Sequence, residues 1–124
     1  MPQVNWNGIE INMVTVTGSA ITMAYQSAPA SGTLFFAPND VCWSTTYNVV
    51  GILPTVGITL DATGSFSTQL LAMDNPGISS NWSWTVYGNL NGIAIATRKI
   101  AVVYANGDTQ TLESLLNSSQ LIPQ

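Results

Sequence analysis

The stretch L60-D-A-T-G-S-F-S-T-Q-L-L-A-M-D-N-P-G77 decides the fold. It reads as turn, strand, turn. Asp61 and Gly64 bracket a tight reversal, because Asp bonds its own backbone and Gly accepts positive φ. From Ser65 the side chains alternate: Phe66, Thr68, Leu70 and Ala72 share one face, and Ser65, Ser67 and Gln69 the other. That is the period of a half-buried strand. Asp74-Asn75-Pro76-Gly77 then ends it, since Pro lacks a ladder N–H and Gly permits a sharp bend.

Working outward, the same grammar recurs on both sides. Ile9–Thr17 is a strand by β-branched content, with Ile9, Ile11 and Met13 on one face and Val14 and Val16 on the other. Apolar residues on both faces imply a bulge or a strand covered on both sides. Gly18-Ser19 reads as a turn, and Ala20–Gln26 as a returning strand. Ser27–Gly32 is loop by composition. Thr33–Ala37 is a short strand stopped by Pro38-Asn39-Asp40; Thr46–Ile52 and Val56–Leu60 are two more. Trp82–Tyr87 alternates most cleanly, Trp82, Trp84 and Val86 facing one way. Ile93–Tyr104 supplies the last strands, with Ile100, Val102 and Tyr104 on one face, and Asn106-Gly107 is a turn pair. Helical spacing appears in Thr109–Leu116, where Leu112, Leu115 and Leu116 fall at i, i+3 and i+4, with Asp108 or Thr109 as cap. A helix that short must dock.

The fold class that follows is all-β: an immunoglobulin-like or related antiparallel β-sandwich of about seven or eight short strands with a short C-terminal helix. Its 124 residues suit one domain. Residues 1–8 form an N-terminal arm or short edge strand, 9–117 the sandwich with its helix at 109–116, and 118–124 a C-terminal tail.

Charged residues make up 6% of the chain, against about 25% in an ordinary globular protein. Uncharged polar residues cost less to bury against a partner than Lys or Glu, so the composition suits packing into an assembly. The net charge is −4, with Arg98 and Lys99 the two basic residues, which argues against nucleic acid and against a polybasic membrane anchor. No apolar run approaches the ~20 residues of a membrane span. The N-terminus lacks the pattern of a signal peptide, so synthesis and folding in a cytoplasm are expected. One cysteine, Cys42, allows no intrachain disulfide and reads as a small core residue. The absence of His excludes Ser-His-Asp and Cys-His catalysis and His-built zinc sites. No cofactor or metal is implied. Asp61 and Asp74 are the carboxylates nearest to an acid–base pair, but each sits in a turn where Asp commonly accepts from backbone N–H groups. Trp43, Trp82 and Trp84 could stack on sugars if coplanar and exposed; alternation at 82 and 84 more simply fills a core.

Five segments, taken in order, resemble a small β-sandwich domain of bacteriophage virions, especially those of phages infecting actinobacteria. They are A30-S-G-T-L-F-F-A-P38, L60-D-A-T-G-S-F-S, L70-L-A-M-D-N-P-G77, W82-S-W-T-V86 and V102-V-Y-A-N-G-D-T-Q-T-L-E-S-L-L116. The family's counterparts are G-T-V-x-F-x-P, L-D-x-x-G-x-F, L-L-A-T-D-x-P-G, W-x-Y-x-V and N-G-x-x-Q-x-L-x-x-L-L. Met73 replaces the usual Thr and Trp84 the usual Tyr. The resemblance covers roughly residues 12–117 and skips the variable segment between Pro38 and Leu60.

It implies a non-enzymatic structural protein of the particle, made in a bacterial host cytoplasm and resident in the virion. The form expected is a capsid decoration protein bound in multiple copies; a minor tail or tail-fibre-associated protein is the alternative, and a carbohydrate-binding module another. Expected partners are the major capsid protein or other virion proteins, a second copy (a trimer being one arrangement) and a host-surface glycan. Trp6, Leu121 and Ile122, apolar residues near the two ends, are the expected partner contacts.

Overall fold

The ten-residue strand β2 (Ile9–Gly18) organises the molecule, seen in a computed structural model that describes residues 3–6, 9–18 and 29–121, with residues 3–6 and 9 described by backbone. Around it stand β1 (Gln3–Trp6), β3 (Gly32–Pro38), β4 (Cys42–Ser44), β5 (Val49–Gly51), β6 (Val56–Thr59) and β7 (Phe66–Leu71). Then follow β8 (Trp84–Leu90), β9 (Ile93–Ile100), a 3-10 turn (Tyr104–Asn106), β10 (Thr109–Thr111), the helix α1 (Leu112–Asn117) and β11 (Gln120–Leu121). The strand expected over Ala20–Gln26 lies outside the described residues.

One sheet is built on β2. Its first half pairs antiparallel with β1, and its second half with β7, Val14 opposite Leu70. On Thr15–Thr17 it also receives β10, in parallel. The other sheet runs β11-β9-β8-β3-β6, all antiparallel. β4 and β5 make a separate hairpin. The protein is thus an all-β sandwich with one short helix.

The core lies between the sheets. Val14, Val16, Leu34, Phe36, Leu70, Trp84, Val86, Ile100 and Val102 are buried, and Leu112 and Leu115 of α1 join the same cluster. Trp82 and Trp84 meet edge to face, ring centroids 5.6 Å apart, a geometry the ring quadrupole favours. Trp84 also ties the sheets together: its Nε1 donates to the Leu71 carbonyl at 2.9 Å. The tryptophan stripe at 82 and 84 is core, as its alternation implied.

Four readings of the sequence need correction. Thr46–Ile52 is not one strand; Thr45–Asn48 is a turn, with Asn48 at φ 55°, and the chain doubles back as the β4–β5 hairpin. The strand starting at Trp82 begins instead at Trp84, because Asn39 Oδ1 accepts from the Ser83 N–H and Asn39 N donates to the Ser83 carbonyl. The last long strand stops at Ile100. Beyond it Met73 N donates to the Val102 carbonyl, and Asp74 accepts from Tyr104 N and Ala105 N at 2.7 and 3.1 Å, drawing the chain into the 3-10 turn. The helix covers Leu112–Asn117, not 109–116. Residues 109–111 are held extended against β2, and the Gln110 amide donates to the Val103 and Gly107 carbonyls. The cap is Thr111, whose Oγ1 accepts from Ser114 N at 3.3 Å; neither Asp108 nor Thr109 caps it.

Candidate interaction surface

The β4–β5 hairpin inherits two faces from strand alternation. Cys42 and Ser44 turn inward and are buried, and Val49 packs against the core. Trp43 and its cross-strand partner Val50 turn outward, 39% and 70% exposed. Ile52 continues the outward face at 83% exposure, and Tyr47 at the hairpin tip is 48% exposed. The hairpin is anchored from below by Ser79: Trp43 N donates to Ser79 Oγ and Ser79 N donates to the Trp43 carbonyl; within the hairpin the Cys42 thiol donates to the Gly51 carbonyl at 3.8 Å. Burial pushes the Cys42 thiol up from its ordinary pKa, only partly offset by its backbone hydrogen bond, which keeps it protonated and poorly nucleophilic at neutral pH.

Beside the hairpin runs an apolar groove of about 500 Å³. One wall is Val50–Pro54 with Val56; the other is Ile11, Met13, Gln69 and Leu71; Trp84 lines it as well. The groove opens beside two sheet margins. β6 ends the five-stranded sheet and β7 pairs with β2 alone. Leu60 N donates to the Gly32 carbonyl, so by alternation the backbone groups of Gly57 and Thr59 point away from the sheet.

The two aspartates are occupied by backbone. One Asp61 oxygen accepts from Thr63 Oγ1, Thr63 N and Ser65 N at 2.6, 2.8 and 3.0 Å. The Thr63 hydroxyl first, then the Ser65 and Thr63 N–H groups, hold its carboxyl below the usual range. Asp74 braces the 3-10 turn across thirty residues of chain rather than its own reversal. Both aspartates therefore serve as acceptors for backbone N–H groups.

Of the expected contact residues, Leu121 is 58% exposed on β11, opposite Arg98 at the margin of the five-stranded sheet. Trp6 belongs to β1 of the other sheet, and its side chain lies outside the described residues, as does Ile122. The structure thus puts Trp6 and Leu121 on different sheets. Sequence reading missed the Val50–Ile52 face, and charge could not have marked it, since residues 11–39 and 75–97 are longer runs without Asp, Glu, Lys or Arg than 41–60. Among the described residues, no group of three or more His, Cys, Asp or Glu is placed to hold a metal ion, no helix is long and apolar enough to cross a membrane, and Ser83 Oγ is the one buried side-chain polar atom without a partner. Comparisons with family models, with curated proteins and with solved structures gave no match to this chain.

Proposed function

We propose that the chain is a non-enzymatic structural protein of a bacteriophage particle, a capsid decoration protein that binds the assembled head in multiple copies. The observation that carries this reading is the ordered run of five sequence segments that resemble the virion sandwich. Each falls where the fold needs it: Ala30–Pro38 supplies β3, Leu60–Ser67 the corner into β7, Leu70–Gly77 the end of β7 and its turn, Trp82–Val86 the entry to β8, and Val102–Leu116 the closure through β10 and α1. The chemistry agrees. The acid–base candidates are consumed by backbone N–H groups, the surface is poor in charge, and the exposed apolar side chains sit on a hairpin and strand margins suited to docking.

The test is compositional. Purified particles of the encoding phage should contain the chain in a fixed ratio to the major capsid protein, and electron microscopy should place it on the head exterior. Its absence from particles overturns the reading; density on the tail converts it to the minor-tail alternative.

A glycan-binding reading keeps one observation in its favour, the exposed pair Trp43 and Tyr47; Trp82 and Trp84, each 2% exposed, cannot serve as a platform. Polysaccharide titration that quenches fluorescence in the wild type but not in Trp43→Phe would favour it.

A further inference from the structure

We infer that Asn106-Gly107 is a self-modification site, where the Asn106 amide is converted to isoaspartate and aspartate, loosening the closing strand β10, while the fold shields the equivalent pair Asn91-Gly92. Asparagine is most prone to this reaction before glycine. Glycine has no side chain to screen its N–H, and it lets the backbone swing into the ring-closing geometry. The Gly107 nitrogen attacks Cγ of Asn106 and a C–N bond forms. The side-chain nitrogen leaves as ammonia, carrying off the Gly107 proton. Water then opens the cyclic imide. Cleavage of the new bond to Cγ gives aspartate; cleavage of the original peptide bond gives isoaspartate, in which the main chain runs through the side-chain carbon.

Both pairs are solvent-exposed, so access does not separate them; anchoring does. Asn91 Oδ1 accepts from Ser31 N and Ser31 Oγ at 2.8 and 3.1 Å, and Asn91 N donates to the Ser31 carbonyl at 2.7 Å. The residue is thus pinned to the entry of β3, inside a turn flanked by the paired Leu90 and Ile93. The Asn106 amide has no hydrogen-bond partner among the described residues. Its backbone is held by a single 3-10 turn: Asn106 N donates to the Val103 carbonyl at 3.1 Å and Gly107 N to the Tyr104 carbonyl at 2.9 Å. Exposed bonds of this poorer geometry are among the first to open, and opening frees the attacking nitrogen. A third pair, Asn7-Gly8, lies outside the described residues.

The position gives the modification a structural consequence. The Asp108 carbonyl accepts from Thr15 N at 2.8 Å, and Thr109–Thr111 pairs with Thr15–Thr17. The extra main-chain carbon of isoaspartate therefore enters immediately before β10 and disturbs its seating on β2. The new carboxylate also arises between Asp108 and the turn that Asp74 braces through Tyr104 N and Ala105 N, adding like charge there.

The proposal does not rest on the particle reading and is tested on the isolated chain. Folded wild type is aged at mildly alkaline pH, and each asparagine is followed by peptide mapping with mass spectrometry and an isoaspartate-specific methyltransferase. Asn106 should convert about tenfold or more faster than Asn91, the factor expected from the two hydrogen bonds that hold the Asn91 side chain. In urea the two should convert at similar rates, because the difference belongs to the fold. The aged wild type should melt a few degrees lower than fresh protein, while Asn106→Gln, aged identically, keeps its melting temperature. Equal conversion of Asn91 and Asn106 in the folded chain overturns the proposal. So does an Asn106 that keeps its amide when folded but loses it in urea, or a fully converted chain that melts as fresh protein does.

Discussion

Asn75 stands in for a strand residue. Its Oδ1 accepts from Asn12 N at 2.6 Å, and its Nδ2 donates to the carbonyls of Asn12 and Ala72 at 3.1 and 2.8 Å. The side-chain amide therefore continues the β2–β7 ladder beyond the point where Pro76 forbids it. In the sequence Asn75 looks like one more turn former, because its partner is sixty-three residues away and nothing local announces it. Asn75→Ala removes the hydrogen bonds to Asn12 N and to the Asn12 and Ala72 carbonyls, so stability should fall by about 2–3 kcal/mol. Urea unfolding should show a lower midpoint at unchanged m-value. Asp61 tests the opposite, local kind of residue. Its folded pKa is depressed, so its contribution is present above the unfolded value of about 4 and is lost as pH falls through the folded value. Melting temperatures recorded from neutral pH downward should therefore decline less steeply below about pH 4 in Asp61→Asn than in the wild type. Equal slopes would show that the carboxylate's hydrogen bonds contribute nothing to acid stability.

At the scale of elements, the β8–β9 hairpin depends on a backbone irregularity. The register shifts between Val86 and Gly88, and Gly88 has φ 136°. A Cβ there would stand 2.3 Å from the Thr33 carbonyl oxygen on β3. Gly88→Ala thus combines backbone strain with a clash against rigid main chain, and should cost about 3 kcal/mol or more, read as loss of soluble protein or a collapsed urea midpoint. The helix should respond unevenly. Thr111→Ala removes one cap bond and should cost about 1 kcal/mol, whereas Leu115→Ala empties a buried site and should cost about 2–5 kcal/mol. A reversed order would mean that α1 is held by its cap rather than by docking.

These elements also mark how far the sequence could be read. β3, β6, β7 and the body of β8 were legible because one of their faces is buried and the period of two is written in residue type. The β4–β5 turn was not, since Thr45–Asn48 contains neither Gly nor Pro and Asn48 supplies the positive φ. Thr109–Thr111 was read as helix because Leu112, Leu115 and Leu116 impose a helical period. What makes it a strand is pairing with Thr15–Thr17, a contact no local window contains. The Val50–Ile52 face escaped for a related reason: apolar residues in a strand-like run look like core until a hairpin turns one face outward.

For the whole molecule, the decisive contact joins the two ends of the chain. β10 lies parallel to the second half of β2, and Thr15 N donates to the Asp108 carbonyl at 2.8 Å. Leu112 and Leu115 then cover the core beside it. Sandwiches dominated by such non-local pairings fold in milliseconds to seconds, because loop closure precedes the contacts that reward it. The sheet built on β2 therefore cannot be completed until nearly all of the chain has been made. A chain ending at Asn106 lacks β10 and α1, uncovering one side of β2 together with the core beneath the helix. It should show no cooperative thermal transition, no near-ultraviolet circular dichroism and strong binding of a hydrophobic dye. A chain ending at Ser119 loses only the two-residue β11 and the tail beyond it, with Leu121 already solvent-facing, and should keep a single transition a few degrees below the wild type. Cooperative melting of the shorter chain would mean that β2 and β7 with the five-stranded sheet already form a self-sufficient core, leaving β10 and α1 as an accessory rather than the closure of the fold.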